Sequence, residues 1–205
     1  NGSETVDFKY VSHEIYGGKK KLAGLPATYT ENEEEATSLD ITLHDSVMDT
    51  DLVLTYSVYE DYPVVTRSAR LVQKGNQKIC LEYVMSAAVE FPDMDYEMIH
   101  LSGAWARERY VKTRKLEMGI QAVQSLAGTG SSSEQNPFIA LKRPHTTEDT
   151  GEVFGFSFVY SGNFLAQVEV STYEMTRVMM GINPQGFSWE LSRDEEFQTP
   201  EVVMV

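Results

Sequence analysis

The chain has 205 residues, 41% of them hydrophobic, with 17 basic and 31 acidic side chains and a formal net charge of −14. That balance argues against nucleic acid or an anionic membrane as a main partner, because both surfaces attract basic proteins. No run approaches the roughly 18 consecutive apolar residues of a membrane span, and the mean hydropathy of −0.31 fits a soluble protein. The length suits one large all-β domain. A single cysteine, Cys80, excludes an internal disulfide and any cysteine-rich zinc site. It stands in the alternating run KICLEYVM, which predicts a buried, inert thiol and, by default, a reducing cytoplasmic location. The opening NGSETVDFKY has no signal-peptide pattern, and EVVMV at 201–205 reads as a strand still running. Both ends are expected to be cuts in a longer chain.

Residues 5–16 alternate loosely and predict a first strand or hairpin, ended by Gly17-Gly18. The basic run Lys19-Lys20-Lys21 and the acidic patch at 31–35 flank residues 22–29 and read as solvated loop tips. Leu39, Ile41 and Leu43 alternate, as do Leu52, Leu54, Tyr56 and Val58, with a hairpin connection at 45–51. After Pro63, the residues Val65, Arg67, Ala69 and Leu71 lead to a turn at Lys74-Gly75-Asn76. Residues 79–91 predict another strand closed by Pro92, residues 98–116 one or two strands with a charged face, and 120–126 a short strand. AGTGSSSEQN at 127–136 reads as a loop.

The densest signal is GEVFGFSFVYSGNFLAQVEV at 151–170. Phe154, Phe156, Phe158 and Tyr160 fall on every second position, and so do Phe164, Ala166, Val168 and Val170. Each arm therefore presents one apolar row. With Ser161-Gly162-Asn163 between them, the arms 152–160 and 164–170 predict a central β-hairpin. Further strands are expected at 138–141, 177–182, 187–191 and 202–205. No segment shows helical periodicity, and no linker divides the chain. The expected fold is all-β, one large antiparallel two-sheet β-sandwich over residues 1–205, with a closed barrel as the competitor.

Candidate chemistry is sparse. His13, His44, His100 and His145 lack any short metal-ligand spacing. Asp93, Asp95 and Glu97 would share one face of an extended chain, as a cation or acid–base site or as a solvated edge. The glycine-serine run at 128–133 lacks the Lys-Ser/Thr pair of a phosphate loop, and Asn1-Gly2-Ser3 matches a glycosylation acceptor by spacing alone. No Gly-x-Ser-x-Gly elbow occurs. No catalytic residue, metal or cofactor is expected. Arg107, Arg109, Lys112, Arg114 and Lys115 concentrate positive charge, as a solvated strand face or as a contact with an acidic neighbour. Trp105 follows the small residues Ser102-Gly103-Ala104, so its indole either fills the core or projects past them. Trp189 alternates with Phe187 and Leu191 and reads as core.

Three stretches together, HLSGAWARER (100–109), the run 151–170, and GINPQGFSWEL continuing to FQTPEVVMV (181–205), resemble the N-terminal domain of bacterial α-galactosidases of glycoside hydrolase family 36. NPFIAL (136–141) with PHTTEDTGEV fits in the same order, and AGLPATY (23–29) and SARLVQKG (68–75) agree more weakly. SSSEQ at 131–135 departs from members that carry histidine there, so no histidine role is carried over. The resemblance implies a galactose-mutarotase-like β-supersandwich followed by a (β/α)₈ barrel and a small C-terminal β-domain. It implies retaining hydrolysis of terminal α-linked galactose from melibiose and raffinose-type oligosaccharides, by two aspartates of the barrel. It also implies contact with the chain's own barrel and assembly into dimers or tetramers. Trp105 would then wall the sugar pocket, while Arg107 and Arg109 dock against acidic barrel loops. A free-standing carbohydrate-binding sandwich and a structural or assembly module are the other readings.

Overall fold

A computed structural model describes residues 5–128 and 131–205. The Asn1-Gly2-Ser3 triplet and the middle of the glycine-serine run lie outside the described residues. An antiparallel meander of four long strands comes first: β1 (Lys9–Gly17), β2 (Ala36–Asp45), β3 (Thr50–Tyr59) and β4 (Val65–Gln73). Short β5 (Ile79–Leu81), β6 (Met85–Phe91), the hairpin β7 (Glu97–Ala104) and β8 (Arg107–Lys115), and β9 (Gly119–Ser125) follow. A single helical turn, Ser131–Glu134, precedes β10 (Gln135–Lys142), β11 (Val153–Val159), β12 (Phe164–Val170) and β13 (Thr176–Ile182). The last strands are β14 (Trp189–Leu191), β15 (Glu196–Gln198) and β16 (Glu201–Met204).

The strands form a two-sheet sandwich. The large sheet runs β1-β2-β3-β4-β16-β11-β10-β7-β8, with β15 also on β4, and the small sheet runs β6-β13-β12-β9. A two-stranded ribbon joins β14 to β5. The large sheet is open, with β1 and β8 as its edges, so the closed barrel does not form. The inner faces meet in a core of Met98, Leu141, Phe156, Phe158, Phe164, Val168, Met180 and Val202, among others. Phe91 of the small sheet lies 5.0 Å from Phe154 and 6.4 Å from Phe156 of the large one, between ring centroids. Such offset and edge-on pairs add attraction beyond area burial. A smaller core of Leu71, Leu81, Leu191 and Phe197 sits under the ribbon.

The expected hairpin at 152–170 does not form. β11 pairs with β10 and β16 in the large sheet, whereas β12 pairs with β13 and β9 in the small one. Residues 160–163 are an arch between sheets. In a hairpin both apolar rows would lie side by side on one face; in the arch they face each other across the core, and each row buries the other. A Cβ at Gly162 would stand 2.5 Å from the Tyr160 ring, so a larger residue there would have to displace that ring.

Other expectations are also corrected. Residues 79–91 split into β5 and β6, which belong to different sheets. Cys80 is exposed, its Sγ 3.2 Å from Ser188 Oγ, because the ribbon turns Leu81 inward and the cysteine outward. Trp189 is 49% exposed and rests against Phe197, while Leu191 takes the buried position. Lys19 leaves its basic run altogether: its side chain is 4% exposed and ion-paired to Glu201.

Candidate functional site

The family-like segment 100–109 forms the end of β7, the turn and the start of β8. Register shifts between Ser102 and Ala104, so the chain tightens into a short loop at Trp105 and Ala106. Ala106 adopts φ +63° and Arg109 φ +61°, left-handed values that the bulged turn imposes. Only glycine fits at 103, where a Cβ would lie 2.4 Å from the Arg107 carbonyl oxygen. The consequence is a stiff tip that holds the Trp105 indole out, 86% exposed. The core reading of Trp105 is thereby overturned. Arg107 and Arg109 follow at once, and every residue of β8 is exposed.

Behind this tip, His100 is buried on β7. Its Nε2 lies 2.7 Å from Arg114 Nη2. A guanidinium only donates, so Nε2 accepts and Nδ1 bears the proton. Burial first, and the Arg114 charge second, push the imidazole below its ordinary value, with Gln135 opposing weakly.

The carboxylates expected to share a face are held apart by partners. Asp93 accepts hydrogen bonds from Arg143 at 2.6 and 3.2 Å, which hold its carboxyl below the usual range. Arg143 also donates to Glu152 and stacks 3.9 Å from the Tyr96 ring centroid. Glu97 is paired with Lys142, and Asp95 lends Arg143 its backbone carbonyl. Asp93 and Asp95 thus hold loops together, and Glu97 makes a cross-strand pair between β7 and β10. Among the described residues, no three His, Cys, Asp or Glu side chains converge as a metal site needs.

A second cluster escaped the sequence reading. Glu201, at the start of β16, is 2% exposed and sits 2.6 Å from Lys19 Nζ. The Thr28 backbone N–H and hydroxyl both donate to Glu201 Oε1, at 2.9 and 2.8 Å. Tyr59 Oη in turn donates to Thr28 Oγ1 at 2.8 Å. These bonds pin the loop 18–35 across the outer face of the large sheet. Beside them opens a groove of about 690 Å³, lined by Tyr29, Tyr59, Tyr62, Val203, Glu31 and Asp61 among others. In sequence the only hint was Glu201 at the head of an otherwise apolar strand.

The description "Glycosyl hydrolase family 36 N-terminal domain" matches residues 1–192. The chain belongs to glycosyl hydrolase family 36. It is 53% identical, over its full length, to the α-galactosidase AgaA of Geobacillus stearothermophilus and 41% identical to the α-galactosidase Mel36A of Lactobacillus acidophilus. In each case it spans 28% of the relative's length. The crystal structure of AgaA superposes with a TM-score of 0.97, covering 100% of this chain and 28% of that one. That of the Lactobacillus brevis α-galactosidase does so with 0.96, at 38% identity, covering 99% and 27%. Variants of AgaA have been crystallised with 1-deoxygalactonojirimycin, raffinose and stachyose. Within this family-36 domain, one of the three stretches that carried the sequence resemblance, 100–109, is the projecting tip of β7 and β8.

Proposed function

We propose that the chain is the non-catalytic N-terminal domain, residues 1–205, of a retaining α-galactosidase that acts on melibiose and raffinose-type oligosaccharides. A catalytic (β/α)₈ barrel follows it in the same polypeptide and supplies the two aspartates. The observation that carries this reading is the match, without gaps in coverage, of the whole chain to about a quarter of α-galactosidases such as AgaA. Trp105 walls the sugar pocket: an indole face suits the apolar C–H face of galactose, and its N–H suits a hydroxyl. Arg107 and Arg109 dock the tip against acidic surfaces of the barrel or of a neighbouring subunit, and copies of the enzyme assemble as dimers or tetramers. The enzyme works in the cytoplasm, a reducing compartment that keeps exposed Cys80 as a thiol.

The test is the reading frame beyond Val205 and the activity of what it encodes. Full-length protein is expected to release galactose from raffinose, and the 205-residue chain alone to give no turnover on a chromogenic α-galactoside. A following region without a barrel, or turnover by the pure 205-residue chain, overturns the reading.

A further inference from the structure

Two surfaces of this domain carry opposite charge that no ion pair among the described residues neutralises. Among the described residues, nine of the twelve lysines and arginines outside β8 form an ion pair, and none of the five within it does. Arg114 is occupied by His100. Glu97, directly across from Lys115, is taken by Lys142 instead. β8 is thus an exposed edge strand of the large sheet, and none of its lysines and arginines is ion-paired among the described residues.

The opposite charge gathers where the loop 31–35 meets the turn after β3. Glu60 N–H donates to the Glu35 carbonyl at 3.0 Å, which brings the two segments together. Glu31, Glu33, Glu34, Glu60 and Asp61 are all exposed, and none is ion-paired among the described residues. The groove with Tyr29, Tyr59 and Tyr62 adjoins them, with Tyr29 70% and Tyr62 66% exposed. Exposed tyrosines beside unpaired carboxylates suit a guanidinium or ammonium, which a ring face and a carboxylate attract together. The domain already uses that chemistry internally, where Arg143 stacks on Tyr96 and binds Asp93.

We propose that β8 of one copy docks on the acidic, tyrosine-lined corner of a second copy, with its lysines and arginines against Glu31, Glu33, Glu34, Glu60 and Asp61. This rests on the reading that the enzyme self-assembles, and it names the surfaces. Pairing of β8 with β8 is opposed, since rows of cations would face each other. Each copy carries both surfaces, so a two-fold contact uses each twice and closes. Arginine and tyrosine are also the side chains that most often dominate interface energies.

Sedimentation of the full-length enzyme at low and high salt tests this. Self-association is expected to weaken about tenfold or more with salt, as exposed charge pairs are screened. The double variants Arg107→Glu/Lys112→Glu and Glu31→Lys/Asp61→Lys should each weaken it about tenfold or more, because like charges then face each other. All four positions are exposed, so melting temperatures should stay unchanged. An equimolar mixture of the two variants should associate again, since the reversed charges complement one another. Association that neither variant weakens, or a mixture that stays apart, overturns this docking surface while leaving assembly itself standing. A full-length enzyme that remains monomeric at every attainable concentration overturns both.

Discussion

Gly103 decides what Trp105 can do. Without a side chain it lets β8 fold back tightly enough for the turn to hold the indole in solvent, and Gly103→Ala should destabilise by about 1–3 kcal/mol through overpacking. Because Trp105 touches little of its own domain, Trp105→Ala in the full-length enzyme should leave the melting temperature nearly unchanged while lowering kcat/KM for raffinose. Steady-state kinetics beside a thermal melt read both; kinetics identical to wild type would remove Trp105 from the pocket wall. His100 supplies a pH test at the same site. Its folded pKa is depressed, so between that value and about 6.5 the unfolded chain binds the extra proton. The contribution to stability is therefore full above pH 6.5 and is lost as pH falls through the folded value. The melting temperature of wild type should drop relative to His100→Asn as pH is lowered from 7 towards 5.

At the scale of elements, alternation identified most strands by type and left their partners open. Phe156 and Val168 each point to the core whether their strands pair or face each other, so periodicity could not distinguish a hairpin from an arch. The distinction lies in the other neighbours: β16, which starts 42 residues after the end of β11, claims one edge of β11, and β9 claims one edge of β12. Phe156, 3% exposed, touches both sheets' aromatic cluster. Phe156→Ala should cost about 3–5 kcal/mol in denaturant unfolding, and Phe156→Asp should prevent folding, because an unpaired buried charge has nowhere to go. A cooperatively melting Phe156→Asp protein would place that ring outside the core. Cys80 and Trp189 show the same limit of pattern reading. Cys80 lies with its partner Glu190 on the wet face of the β5–β14 ribbon, whereas Trp189 shares the inner face with Leu81 and Leu191 but stands at the ribbon's end, half exposed against Phe197.

For the whole molecule, the buried pair of Lys19 and Glu201 ties the chain's early loop to its last strand across 182 residues of sequence. Lys19→Met should cost about 3–5 kcal/mol, since it strands a buried carboxylate, whereas Lys21→Met, two residues on in an exposed position, should change the melting temperature little. Equal effects would mean that Lys19 is solvated after all. Composition and alternation were enough to establish an all-β chain with no apolar run long enough for a membrane-spanning helix, and collinear motifs from residue 100 to the end were enough to place it in its family. Both are local properties, written in residue type and spacing. Which lysine of three is buried, which tryptophan stands in solvent, and which sheet receives each arm of 152–170 depend on contacts between residues far apart in sequence. Those were decided only when the two sheets closed on one core, because burial is a property of the packed surface and not of the strand that contributes to it.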